Sequence, residues 1–175
     1  RDGTYELRSR AGRLLPFVFY WNREPLNREP CRKPMTQRYQ IWVAYDGSAF
    51  AGWQVQPEKR TVQGELERAI RKLTGETVKL HGSGRTDAGV HAQGQVFHFD
   101  AKWPHAVEKM LAAFRVGLPP TIQIKSIRPV RPDFHARFQT TGKRYVYHLH
   151  LGDADPFTRP YCWQVFRPLD VAAMR

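Results

Sequence analysis

Residues 39–45, "YQIWVAY", set the reading of the whole chain: Tyr39, Ile41, Val43 and Tyr45 fall on one side, and Gln40, Trp42 and Ala44 on the other. A period of two marks a strand with one covered face. Towards the C-terminus, "YDGSAFAGWQVQPEKR" (45–60) breaks the alternation and predicts a glycine-rich loop. Val62, Leu66, Ala69, Ile70 and Leu73 then recur at helical spacing, with Thr61 placed to cap the start and Gly75 to end the run. Strand, loop and amphipathic helix follow one another in 37 residues.

Further on, residues 77–81 and 95–99 predict short strands on either side of "GSGRTDAGVHAQGQ" (82–95). A second helix is expected from Pro104 through Val107, Met110, Leu111 and Phe114 to Gly117, and "TIQIKSI" (121–127) supplies another strand. The order strand, helix, strand, strand, helix, strand is the split βαβ of ferredoxin-like domains, an α+β fold with an antiparallel sheet and helices on one face. "KRYVYHLHL" (143–151) predicts one more strand, with Tyr145, Tyr147, Leu149 and Leu151 on one face, opening a second α+β domain. The expected division is therefore 1–38, an irregular basic extension; 39–130, the ferredoxin-like domain; and 131–175, the beginning of the second domain. Pro25, Pro30 and Pro34 interrupt any periodicity in the extension, and Met35, just before the first strand, stands where a natural start would fit.

The composition, 41% hydrophobic and 13% aromatic over 175 residues, is enough for a buried core and excludes a disordered tail. Twenty-eight Lys and Arg against sixteen Asp and Glu give a net charge of +12, which favours a polyanionic partner such as nucleic acid. The extension holds eight Arg and one Lys against four acids, and the surplus persists without it. Cys31 and Cys162 form no CxxC, so neither a zinc ribbon nor a disulfide framework is supported, and a reducing, cytoplasmic setting fits. No apolar run approaches the ~18 residues of a membrane span.

Asp87 is the one acid in the glycine-rich stretch 82–95. One reading makes it a turn residue whose carboxylate accepts nearby backbone N–H groups. The other makes it a lone nucleophile or base, on a loop that Gly82, Gly84, Gly89 and Gly94 allow to bend or to approach a ligand, with Arg85 offering a fork for phosphate. Strands on both sides would hold such a loop. His81, His91, His98, His135, His148 and His150 suggest a metal, yet no carboxylate or thiolate spacing completes a ligand set. The aromatics Tyr45, Phe50, Trp53, Phe97, Phe99, Tyr145 and Tyr147 are core candidates, some of which could serve as shelves for unstacked bases.

"YDGSAFAGWQVQ", "RTVQGELERAI", "GRTDAGVHAQGQVFHF" and "FHARFQTTGKRYVYH" occur in an order and spacing that closely resemble the TruA-type tRNA pseudouridine synthases, over roughly Tyr39–Asp170. The resemblance implies isomerisation of uridine to pseudouridine in the tRNA anticodon stem-loop, without metal or organic cofactor. It implies that Asp87 is the catalytic aspartate, that Arg85 holds the flipped nucleotide or its phosphate, and that Tyr145 packs against the uracil. It also implies that 39–130 is the catalytic domain, that "LDVAAMR" (169–175) ends where a second RNA-binding domain has only begun, and that the full-length protein forms a homodimer. A non-catalytic RNA-binding module of the same fold is the alternative; it has no use for an anion among phosphates.

Overall fold

The computed structural model describes residues 35–174; of the expected extension, residues 1–34 lie outside this range. The elements are β1 (Gln37–Tyr45), α1 (Val62–Thr74), β2 (His81–Gly82), β3 (Ala92–Ala101), α2 (Val107–Gly117) and β4 (Ile122–Val130), followed by β5 (Leu149–Leu151), a single 3-10 turn at Arg159–Tyr161, and β6 (Trp163–Val165). The first six strands and helices form an α+β unit whose antiparallel sheet has the spatial order β2-β3-β1-β4. β5 and β6 pair in parallel as a separate two-stranded sheet.

The alternation of β1 is reproduced in its burial: Tyr39, Ile41, Val43 and Tyr45 are buried and Trp42 is exposed. The inward residues meet Phe97 and Phe99 of β3, and Val62, Leu66, Ala69 and Ile70 of α1 close over them together with Met110 and Phe114 of α2. Each Val, Leu, Ile, Phe and Met among them contributes roughly 1.5–3 kcal/mol by leaving water, which makes this one cluster the main source of stability. Thr61 accepts the Gly64 N–H on its side chain and Gly75, at φ 74°, donates to the Arg71 carbonyl, so both ends of α1 are closed as expected. The pairing register of β1 slips near Val43, towards the end from which the 45–60 loop leaves.

Four expectations are corrected. The strand at 77–81 shrinks to His81–Gly82, because the Leu80 N–H turns to the Glu67 carboxylate of α1 (3.3 Å) instead of a neighbouring strand. The strand at 95–99 lengthens to ten residues, and α2 begins at Val107 without a side-chain cap. Of the strand expected at 143–151, only Leu149–Leu151 forms; Tyr145, Val146 and Tyr147 are all exposed. A strand exists only where its backbone is paired, and pairing here begins where the Trp163 N–H reaches the His148 carbonyl (2.7 Å).

Between β4 and β5 the chain crosses the sheet face that the helices leave open. Arg38 ties it down, donating to the carbonyls of Pro132 and Phe134 while its fork grips both oxygens of Asp100 at 2.7 Å. Ala136 is buried there, its N–H on His98 Nδ1 (3.2 Å). From this anchored turn the chain runs on to Lys143 and Tyr145.

Candidate active site

The loop 83–91 leaves β2 and enters β3, and it is fixed along its whole length. At its entrance Ser83 donates its N–H to the Val96 carbonyl (2.7 Å) and its hydroxyl to Gln95, whose amide in turn donates to the Gly84 carbonyl (2.7 Å). In the middle, the Thr86 hydroxyl meets the Tyr45 hydroxyl (2.8 Å), and the Thr86 carbonyl accepts the Trp53 N–H (2.9 Å). Burial pushes the Tyr45 phenol up, so it remains a neutral hydrogen-bonding group. Gly52 makes the second of these contacts possible: at φ 95° it holds a left-handed conformation, and a Cβ there would stand 2.7 Å from the Thr86 oxygen. At the exit the Gly89 N–H reaches the Phe50 carbonyl (3.3 Å), and Val90 closes a turn onto the Asp87 carbonyl (3.2 Å).

Asp87 stands at the crest of this loop and is exposed. Its main chain makes the turn, whereas no ion pair among the described residues involves its carboxylate. That distinguishes it from Asp46 and Asp155, which do act as turn residues: Asp46 accepts from the Ser48 N–H, and Asp155 from the N–H groups of Phe157 and Thr158. The side chains of Ser48 and Thr158 first, and then these backbone N–H groups, hold the two carboxyls below the usual carboxylate range. Among the described residues no backbone N–H donates to the Asp87 carboxylate, so it does not act as a turn residue in the way Asp46 and Asp155 do.

Arg85 is also exposed and forms no ion pair with Asp87. Tyr145 is 68% exposed, which overturns its ordinary reading as an inward strand tyrosine. Of the aromatic candidates, Tyr45, Phe50, Trp53, Phe97 and Phe99 are core, while Tyr145 and Tyr147 are available at the surface. Two further contacts of the loop were not foreseen from the sequence. The Lys143 amine lies over Gly84, 3.2 Å from the place a Cβ would occupy there. His91 lies 3.1 Å from Asp46, whose other carboxylate oxygen accepts the Tyr161 hydroxyl (3.2 Å).

On the opposite, open face of the sheet, His81, His98 and His135 bring one ring nitrogen each within 4.8 Å of the others, a group that no spacing along the chain announces. Two of the rings already accept backbone N–H groups on Nδ1: His98 from Ala136, and His135 from Arg137 and Phe138. A neutral ring that accepts at Nδ1 carries its hydrogen on Nε2, where a metal would need a lone pair. As arranged, the three rings are a packed hydrogen-bonding cluster and do not fit a ligand set.

A family model described as tRNA pseudouridine synthase matches residues 41–139, a stretch that contains Arg85 and Asp87 and stops short of Tyr145. The chain is similar to the tRNA pseudouridine synthase A of Latilactobacillus sakei subsp. sakei (strain 23K), 48% identical over 143 residues that make up 81% of this chain and 57% of that protein. It is 47% identical to the tRNA pseudouridine synthase A of Maridesulfovibrio salexigens over 79% of this chain and 51% of that protein. For the protein of the same name from Geobacillus sp. (strain WCH70) the identity is 44%, over 81% and 58%. The chain thus spans a little over half the length of these relatives.

Proposed function

The chain belongs to the tRNA pseudouridine synthase family, and on that premise we propose that the whole protein isomerises uridine to pseudouridine in the tRNA anticodon stem-loop, with Asp87 as its catalytic carboxylate. The observation that carries this reading is the exposed carboxylate of Asp87, which has no ion pair among the described residues, on a loop whose backbone is held at both ends and in the middle. A rigid loop keeps a reacting group in place without using its polar atoms to do so.

The reaction breaks the bond between uracil N1 and the ribose, turns the base, and joins the sugar to C5; the C5 hydrogen leaves as a proton and N1 gains one. A carboxylate can assist by attacking the base or the sugar, or by taking a sugar proton. The target nucleotide must first leave its stack, at a cost of a few kcal/mol. Arg85 would grip its phosphate and Tyr145 would face the uracil, both being exposed near or beyond the loop. Residues 39–130 are then the catalytic domain and 131–175 the start of a second, RNA-binding one, in a cytoplasmic homodimer that uses no cofactor. No helix of the described residues is long and apolar enough to cross a membrane.

The test is Asp87→Asn in the whole protein, since an amide keeps the shape and loses the nucleophile and base. Pseudouridine formation on unmodified tRNA should fall by at least ~10³-fold while tRNA affinity stays within a few fold. Appreciable turnover by the variant would refute the role of Asp87, and an inactive wild-type protein that still binds tRNA would favour the binding-module alternative.

A further inference from the structure

At His91 the exit of the catalytic loop meets two other parts of the chain. The ring Nδ1 lies 3.2 Å from the Gly47 nitrogen and 3.1 Å from Asp46 Oδ1, and the ring itself stands 5.3 Å from that of Tyr161. An imidazole nitrogen has one position in the ring plane for either a hydrogen or a lone pair. Without a hydrogen, Nδ1 accepts from Gly47; with one, it donates to Asp46. The two partners compete for a single atom. Asp46 has other partners, its Oδ1 the Ser48 N–H at 2.9 Å and its Oδ2 the Tyr161 hydroxyl. The Gly47 N–H makes the hydrogen bond to Nδ1, so the neutral ring carries its hydrogen on Nε2 and Asp46 Oδ1 is a close neighbour of Nδ1.

The contact also reaches Asp87 by a short and stiff path. Val90 is tied to the Asp87 carbonyl, and its own carbonyl stands only 2.1 Å from where a Cβ on Gly47 would lie, so the 87–91 turn and the 46–47 turn are in direct backbone contact. Loss of the His91 ring would remove this side-chain tie and leave the loop exit to the Gly89–Phe50 hydrogen bond.

We propose that His91 is a positioning residue for Asp87: its Nδ1 accepts the Gly47 N–H and so fastens the exit of the loop to the 46–47 turn. This rests on the role given to Asp87 above. It does not require His91 to touch RNA.

The experiment compares wild type, His91→Ala and His91→Asn in the whole protein. Asn places an amide oxygen where Nδ1 stood, able to accept the Gly47 N–H, and carries no charge. Turnover and KM on an anticodon stem-loop RNA are measured beside amide hydrogen exchange at Gly89 and Val90. His91→Ala should lower kcat on the order of 10- to 100-fold, as expected for a reacting group displaced by about 1 Å, with KM within a few fold. Exchange at Gly89 and Val90 should quicken, and His91→Asn should restore most of both losses. A loss confined to KM, or Ala and Asn variants equally impaired, would overturn the proposal and make His91 an RNA contact or a packing residue. If wild type forms no pseudouridine, the function assigned to Asp87 fails, while the exchange data still decide whether His91 fastens the loop.

Discussion

Acidification should loosen the fold through His98 in particular. The side chain is 2% exposed, stacked on His81 at 4.9 Å, edge-on to His135 at 4.7 Å, and covered by Phe134 and Ala136. Burial, followed by the neighbouring His81, Arg38 and His135, lowers its pKa from 6.5 to about 4, with Asp100 opposing weakly. The unfolded chain therefore binds this proton at a higher pH than the folded one does, and stability falls as pH falls. The contribution is whole above the unfolded value of 6.5, declines below it, and is fully lost near 4. Its size is on the order of 3 kcal/mol, of which about 2 kcal/mol is gone by about pH 5. Burial also lowers the pKa of His81, which acts in the same direction.

Urea unfolding of wild type and His98→Asn at about pH 7.5 and about pH 5 measures this. Asn can still accept the Ala136 N–H and does not titrate in this range. The variant is expected to be less stable than wild type at the higher pH and to lose clearly less on acidification. Equal losses in the two proteins, or an NMR titration placing His98 near 6.5, would refute the reasoning.

Two further outcomes are expected. Gly47→Ala should keep the helical signal and lower pseudouridine formation by ~10²-fold, because a Cβ 2.1 Å from the Val90 oxygen forces the turn beside Asp87 to move; circular dichroism and a tRNA modification assay separate the two effects. Thr61→Ala should cost about 1 kcal/mol in urea unfolding, since the Gly64 N–H then loses its acceptor at the start of α1.

What could be read from the sequence was local. The alternation at Tyr39–Tyr45, the spacing from Val62 to Leu73 and the caps at Thr61 and Gly75 each depend on neighbours a few residues away, and each took the expected form. The candidate Asp87 was legible because its glycine-rich surroundings and the motifs around it are contiguous. Residues 143–148 show the limit: their alternation is as regular as that of β1, but a strand needs a partner, and at Tyr145 and Tyr147 the described chain offers none. Leu80 shows it again, its amide taken by a carboxylate thirteen residues back on another element.

Tertiary structure alone decided that, among the described residues, the Asp87 carboxylate has no ion pair while Asp46 is occupied, because both lie in glycine-containing loops and only their surroundings differ. It also brought together Asp46, His91 and Tyr161, and separately His81, His98 and His135. Such groups leave no periodic trace. Hydrogen bonds and buried charges act over a few ångströms of space, whereas the residues that make them here are separated by tens of positions along the chain.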